Sequence, residues 1–97
     1  MTGPEASIER AVVRWAKDHG ALVLKQGGAN NSRGVPDRLF LCRGSACFIE
    51  FKRPGAKPTA LQFKWIERLR DQGVAATWFD DAEAAKTWLS KKLFGLG

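Results

Sequence analysis

Asp37 is followed thirteen positions later by Glu50, and Glu50 two positions on by Lys52. Between them lies Arg43-Gly44-Ser45-Ala46, a turn signal, with aliphatic and aromatic runs at 37–42 and 47–53 on either side. That pattern predicts a β-hairpin. If the hairpin closes on a loop centred on Gly44-Ser45, Cys42 faces Cys47, Leu39 faces Glu50 and Asp37 faces Lys52. Opposed residues share a sheet face, as do residues two apart on one strand. Asp37, Glu50 and Lys52 are therefore expected on one face. Arg38, Phe40, Cys42, Cys47, Ile49 and Phe51 fall on the other, apolar face, suited to packing under a helix. A slip of one residue would separate the polar set.

Two carboxylates on adjacent strands can hold a hard cation such as Mg²⁺, which keeps its other positions for water and phosphate oxygens. Such a cation polarises a phosphate and acidifies a water. An ammonium beside it can orient that water or stabilise charge developing on the phosphate. The same three residues are equally a surface salt bridge, which is common and weak. An acid followed by Glu-x-Lys is a loose pattern, and these residues alone admit both readings.

The elements that must position them are legible from periodicity. Thr2 and Glu5 have capping-box spacing, and Ile8, Ala11, Val12, Trp15 and Ala16 fall at helical spacing up to Gly20. A helix is expected over 3–19, then a strand over 21–25, then a Gly/Asn-rich loop over 26–36 ending in Pro36. After the hairpin and a Pro-bounded loop at 54–58, Thr59 is a plausible N-cap. Leu61, Trp65, Ile66 and Leu69 are expected to bury one face of the second helix, which Gly73 ends. A fourth strand is expected over 74–79. Asp80 and Glu83 then have the spacing to open a third helix with Ala84, Ala85, Trp88 and Leu89 inward. The order α-β-β-β-α-β-α means a small mixed sheet with helices packed on it, an α/β chain of a single domain over 1–97.

The chain carries 16 Lys+Arg against 10 Asp+Glu, a net charge of +6. Residues 25–70 hold ten of the basic residues and only three acids, Asp37, Glu50 and Glu67. A basic middle points to a polyanion such as nucleic acid, or to a solvated surface with no partner. No apolar run is long enough to span a membrane. The start has no basic region followed by an apolar stretch, so a secretory signal is not expected and a reduced cytoplasmic setting is. Two Cys and one His cannot complete a four-ligand Cys/His zinc site.

Gly34-Val35-Pro36-Asp37 with Phe48-Ile49-Glu50-Phe51-Lys52 resembles the signature of the PD-(D/E)XK nuclease superfamily. More narrowly, the chain resembles a stand-alone virus-type replication-repair nuclease (VRR-NUC) domain. The likeness is carried by Glu9, Arg33-Gly34-Val35-Pro36-Asp37-Arg38, Ile49-Glu50-Phe51-Lys52-Arg53-Pro54-Gly55, Lys57-Pro58 and Leu61-Gln62, and it spans nearly all of residues 5–90. It implies a restriction-endonuclease-like α-β-β-β-α-β core followed by a C-terminal helix. It also implies Mg²⁺- or Mn²⁺-dependent phosphodiester hydrolysis, with Asp37, Glu50 and the backbone carbonyl of Phe51 as metal ligands. Lys52 would position the attacking water, and Glu9 would complete the site directly or through water. Small stand-alone members of the family imply a homodimer acting on branched DNA, in particular four-way (Holliday) junctions, from a bacterial or phage source.

Other residues keep two readings. Glu9 borders the buried stripe of the first helix, so outside the resemblance it is an exposed helix acid. Gln62 either hydrogen-bonds Lys52 or a phosphate as part of the catalytic set, or is a polar residue at a helix start. Arg33, Arg53, Lys57 and Lys64 flank the acids in sequence and are candidate phosphate contacts. Arg38 points to the opposite face and is the weakest such candidate. Cys42 and Cys47 are expected as packed thiols, with a cross-strand disulfide the alternative. The four Trp fall at core spacings. The sequence thus favours a metal-dependent, structure-selective DNA endonuclease. A flap nuclease or exonuclease with the same site is the nearest rival, and a non-catalytic nucleic-acid-binding module the more distant one.

Overall fold

The computed structural model describes residues 3–26 and 33–95. It contains α1 (Pro4–Asp18), β1 (Leu22–Lys25), β2 (Arg38–Cys42), β3 (Ser45–Phe51), α2 (Ala60–Asp71), β4 (Ala75–Phe79) and α3 (Ala82–Lys92). This is the element order expected from the sequence, and the sheet runs β1-β2-β3-β4 in space. β1 and β2 pair antiparallel, as do β2 and β3, whereas β3 and β4 are parallel and joined through α2. No described helix is long and apolar enough to cross a membrane.

Two helix starts differ from expectation. α1 is capped at Gly3, with Pro4 in its first turn, rather than at Thr2, which lies outside the described residues. Asp81, not Asp80, caps α3 and accepts from the amide of Ala84. Asp80 instead accepts from the amide of Gly55 and ties down the loop after β3. Thr59 does cap α2, and Gln62 three residues on completes a reciprocal capping box.

α1 and α3 pack together on one sheet face. There Phe40, Cys47, Ile49 and Phe51 are buried against Val12, Ala16, Ala85 and Leu89. α2 covers the other face, packing against β4. The apolar face assigned to the hairpin is therefore the α1/α3 face, as the alternation requires. The four Trp are half-buried and rim the core rather than fill it. Ala11 and Ala84, expected inward, are exposed. So is Leu61, and only Ile66 of α2 is buried, because that helix reaches little more of the sheet than β4.

The hairpin register differs by two residues from the expected one. Arg38 pairs with Ile49, Phe40 with Cys47 and Cys42 with Ser45. The turn is Arg43-Gly44, and both residues have positive φ, 47° and 88°. Two successive left-handed residues match the type I′ geometry that suits the right-handed twist of a hairpin. Because the shift is even, every side chain keeps its face. The partner changes: Asp37, one step beyond the Arg38–Ile49 pair, comes opposite Glu50 and not opposite Lys52. Cys42 and Cys47 are not opposed, and both are free thiols. Burial pushes the Cys47 thiol up to about 11.

Candidate active site

Asp37 reaches the sheet at the end of a loop whose close packing depends on glycine. Gly34 has φ of 86°, and a Cβ built there would lie 2.8 Å from Leu61 Cγ and 2.9 Å from Trp65 Cδ1 of α2. Only glycine accepts both that conformation and that approach. Pro36 is then fully buried. The carbonyl of Asp37 accepts from the Gln26 amide at 2.6 Å, which continues the β1–β2 pairing and sets the Asp37 backbone.

Glu50 and Lys52 flank Phe51 at the carboxyl end of β3. Phe51 is wholly buried on the α1/α3 face, so strand alternation turns Glu50 and Lys52 to the opposite face, under the start of α2. The Lys52 amide donates to the Phe79 carbonyl of the parallel neighbour β4, so the strand end is held. Sites in α/β folds commonly form outside the carboxyl ends of parallel strands.

Glu50 is the one buried charged residue in the described core, 3 % exposed. Its Oε2 lies 3.6 Å from Lys52 Nζ and accepts from Gln62 Nε2 at 3.3 Å. Its Oε1 is buried without a hydrogen-bond partner. Burial, and then the Asp37 charge, push the Glu50 carboxyl up to about 8, with Lys52 opposing. Asp37 is raised as well, first by burial and then by the charge of Glu9. The backbone of Phe51, by a hydrogen bond, and the charge of Lys25 pull it the other way. Both carboxyls are thus held above their ordinary range, and each makes ionisation of the other costlier. Paired acids so close cannot both ionise cheaply unless a cation joins them.

Glu9 faces the same end of the sheet but has partners of its own. Arg38 Nε donates to Glu9 Oε2, and Lys25 Nζ lies 3.9 Å from the same oxygen. Among the described residues no third carboxylate, His or Cys joins Asp37 and Glu50 at metal-holding spacing. Glu9 is therefore near enough to raise the pKa of Asp37 without forming a three-residue metal-holding group with it and Glu50. Arg38 lies on the face expected of it, where its partner is Glu9.

Gln62 meets Glu50, whereas the sequence offered Lys52 or a phosphate as its partner. Arg33, Arg53, Lys57 and Lys64 are all exposed. Arg33 adjoins Gly34, Arg53 and Lys57 lie in the loop after β3, and Lys64 lies on α2. Two contributors to the site were not singled out as such in the sequence: Lys25 acts on Glu9, and Glu5, one turn before Glu9, adds a charge that raises Glu50. Arg38, weighed there only as a phosphate contact, acts on Glu9. The four-residue spacing of Glu5 and Glu9 on one helix was the available signal.

The donor set, two carboxylates with a buried unpartnered oxygen and an adjacent ammonium, fits Mg²⁺ or Mn²⁺. Mg²⁺ is usually held by one or two carboxylates, with water and phosphate completing its shell. No family model matches the chain. A relative from Acyrthosiphon pisum secondary endosymbiont phage 1, described as "Putative nuclease p44", is 41 % identical over 66 residues, covering 67 % of this chain and 70 % of the relative. A solved structure described as "VRR_NUC domain" superposes with a TM-score of 0.80 at 25 % identity, over 93 % of this chain and 97 % of the other. A second, "VRR_NUC domain protein", gives 0.77 at 20 % identity, over 100 % of this chain and 93 % of the other.

Proposed function

We propose, since the chain belongs to the VRR-NUC family of nucleases, that it is a divalent-metal-dependent DNA endonuclease selective for branched structures and active as a homodimer on four-way junctions. The observation that carries the metal is Glu50 Oε1, buried and unpartnered beside a second carboxylate. Mg²⁺ or Mn²⁺, when bound, supplies the positive charge that polarises the scissile phosphate. Asp37, Glu50 and the Phe51 carbonyl are the proposed ligands, with Glu9 acting through water.

The remaining chemistry belongs to the chain. The Lys52 ammonium, held 3.6 Å from Glu50, is placed to orient the attacking water and to balance charge developing on the phosphate. The water oxygen bonds to phosphorus and gives up a proton to solvent as one phosphoester bond breaks, and the departing oxygen takes up a proton from solvent. Arg33, Arg53, Lys57 and Lys64 are exposed and are the proposed phosphate contacts, without base readout.

A dimer is proposed because two symmetric incisions of a four-way junction need two sites related by a two-fold axis. Support comes from edge strand β1, where Leu22 and Leu24 are 59 % and 40 % exposed on the sheet face opposite α1 and α3, an apolar patch that a second copy would cover. The proposed setting is the cytoplasm of a bacterial or phage-infected cell.

A cleavage panel of four-way junction, flap, splayed arm, linear duplex and single strand, run with Mg²⁺ and with chelator, tests the proposal. Paired incisions confined to the junction and abolished by chelator are expected. Preference for flaps or ends would make the chain a flap nuclease or exonuclease. Tight binding with no metal-dependent cleavage of any substrate would make it a binding module.

A further inference from the structure

We propose that the N-terminal cap of α2 is part of this active site, with Thr59 a positioning residue that acts on Glu50 through Gln62; this rests on the metal-nuclease reading above. Three hydrogen bonds carry it. Thr59 Oγ1 accepts from the Gln62 amide at 3.2 Å. Gln62 Oε1 accepts from the Thr59 amide at 2.8 Å. Gln62 Nε2 donates to Glu50 Oε2 at 3.3 Å.

The polarity of the Gln62 side chain follows from the first pair. Only its oxygen can accept from the Thr59 N–H, so its nitrogen must turn to Glu50. A capping box takes Glu as readily as Gln at this position. With Glu, however, the end turned toward Glu50 would be an oxygen meeting an oxygen. Gln at 62 therefore satisfies the helix terminus and the site together, and Glu would satisfy only the helix. Gln62 and Lys52 both engage Oε2, which leaves Oε1 as the unpartnered oxygen. Partners of this kind, behind a metal-binding carboxylate, orient it and tune its basicity. Thr59 is exposed, so substitution there disturbs the cap without opening the core.

The test uses Thr59→Val, Thr59→Ser, Gln62→Met and Gln62→Glu, with Glu50→Gln alongside. Melting temperature and calorimetric Mn²⁺ affinity are measured without DNA, and single-turnover cleavage with it. Thr59→Val and Gln62→Met should weaken Mn²⁺ binding about 10-fold or more and lower the melting temperature. Thr59→Ser should restore both. Gln62→Glu should keep the melting temperature yet cleave about 10-fold or more slowly at saturating Mn²⁺, which separates the helix role from the site role. Parent-like Mn²⁺ affinity and cleavage in Thr59→Val and Gln62→Met would reduce the cap to helix stability and overturn the inference. If Thr59→Val does not fold, Gln62→Glu decides, and cleavage at the parent rate overturns it. An inactive Glu50→Gln beside such parent-like variants would leave the nuclease reading standing, whereas an active one would remove that reading and this inference with it.

Discussion

Replacing Glu50 with Gln should make the metal-free protein more stable at alkaline pH while abolishing cleavage. The Glu50 carboxyl is 3 % exposed and is pushed from 4.5 up to about 8, first by burial and then by Asp37. Between those values the native state keeps a proton that the unfolded chain has lost, so stability falls as pH rises through the interval. The slope is at most about 1.4 kcal/mol per pH unit, and the whole interval is worth about 5 kcal/mol at most. That bound is comparable to the total stability of a small domain. Gln is the neutral isostere of the protonated side chain, so it removes the pH dependence and keeps the shape. Parent and variant should match to within about 1 kcal/mol near pH 5, and the variant should lead by roughly 2 to 5 kcal/mol near pH 8.5. Mn²⁺ should reverse the order at the higher pH, because it stabilises only the chain whose two carboxylates can join on it. Urea denaturation at both pH values, with chelator and then with Mn²⁺, measures all four quantities. Parallel pH profiles for parent and variant in chelator would show that Glu50 is not held protonated, and the electrostatic basis of the metal site would fall.

Lys52→Ala removes an ammonium but neither carboxylate. Single-turnover cleavage should drop roughly 10²-fold or more, as for loss of one electrostatic stabiliser, while Mn²⁺ still binds by calorimetry; a salt-bridge-only role predicts parent-like cleavage. Arg53→Ala and Lys57→Ala should each weaken binding to all DNA sequences alike and flatten the salt dependence by about one unit, read by fluorescence anisotropy across a salt series. Gly34→Ala forces a side chain into positive φ and against α2, so it should cost more than about 1 kcal/mol in urea denaturation and slow cleavage by displacing Asp37. Leu22→Lys combined with Leu24→Lys should give a monomer in light scattering where the parent is a dimer, and a monomeric parent at high concentration with and without DNA would remove the homodimer from the proposal.

Much of this molecule was legible before its structure. Helical and alternating periodicities, punctuated by Gly20, Gly73 and the Arg43–Ala46 turn, determine the element order, because each reports a local backbone repeat. The face shared by Asp37, Glu50 and Lys52 was equally legible. It survives the two-residue difference in register because side-chain direction repeats every two residues. What the pattern could not supply was the partner. An Arg in left-handed conformation is an unusual turn residue, and Arg43-Gly44 rather than Gly44-Ser45 closes the hairpin, setting Asp37 opposite Glu50. Leu61 looked buried because helical spacing marks a face without saying how far the sheet beneath it extends. The pairing of Glu9 with Arg38 spans 29 residues of chain and exists only once α1 has docked at the end of the sheet. The elevated pKa of Glu50 is likewise a tertiary property. Residue types placed two acids and an ammonium on one strand face, but it took burial beneath α2, beside Asp37, to make ionisation costly and leave one oxygen without a partner. Local repeats are written in the order of residues, whereas desolvation and the approach of distant charges depend on which surfaces meet when the chain closes.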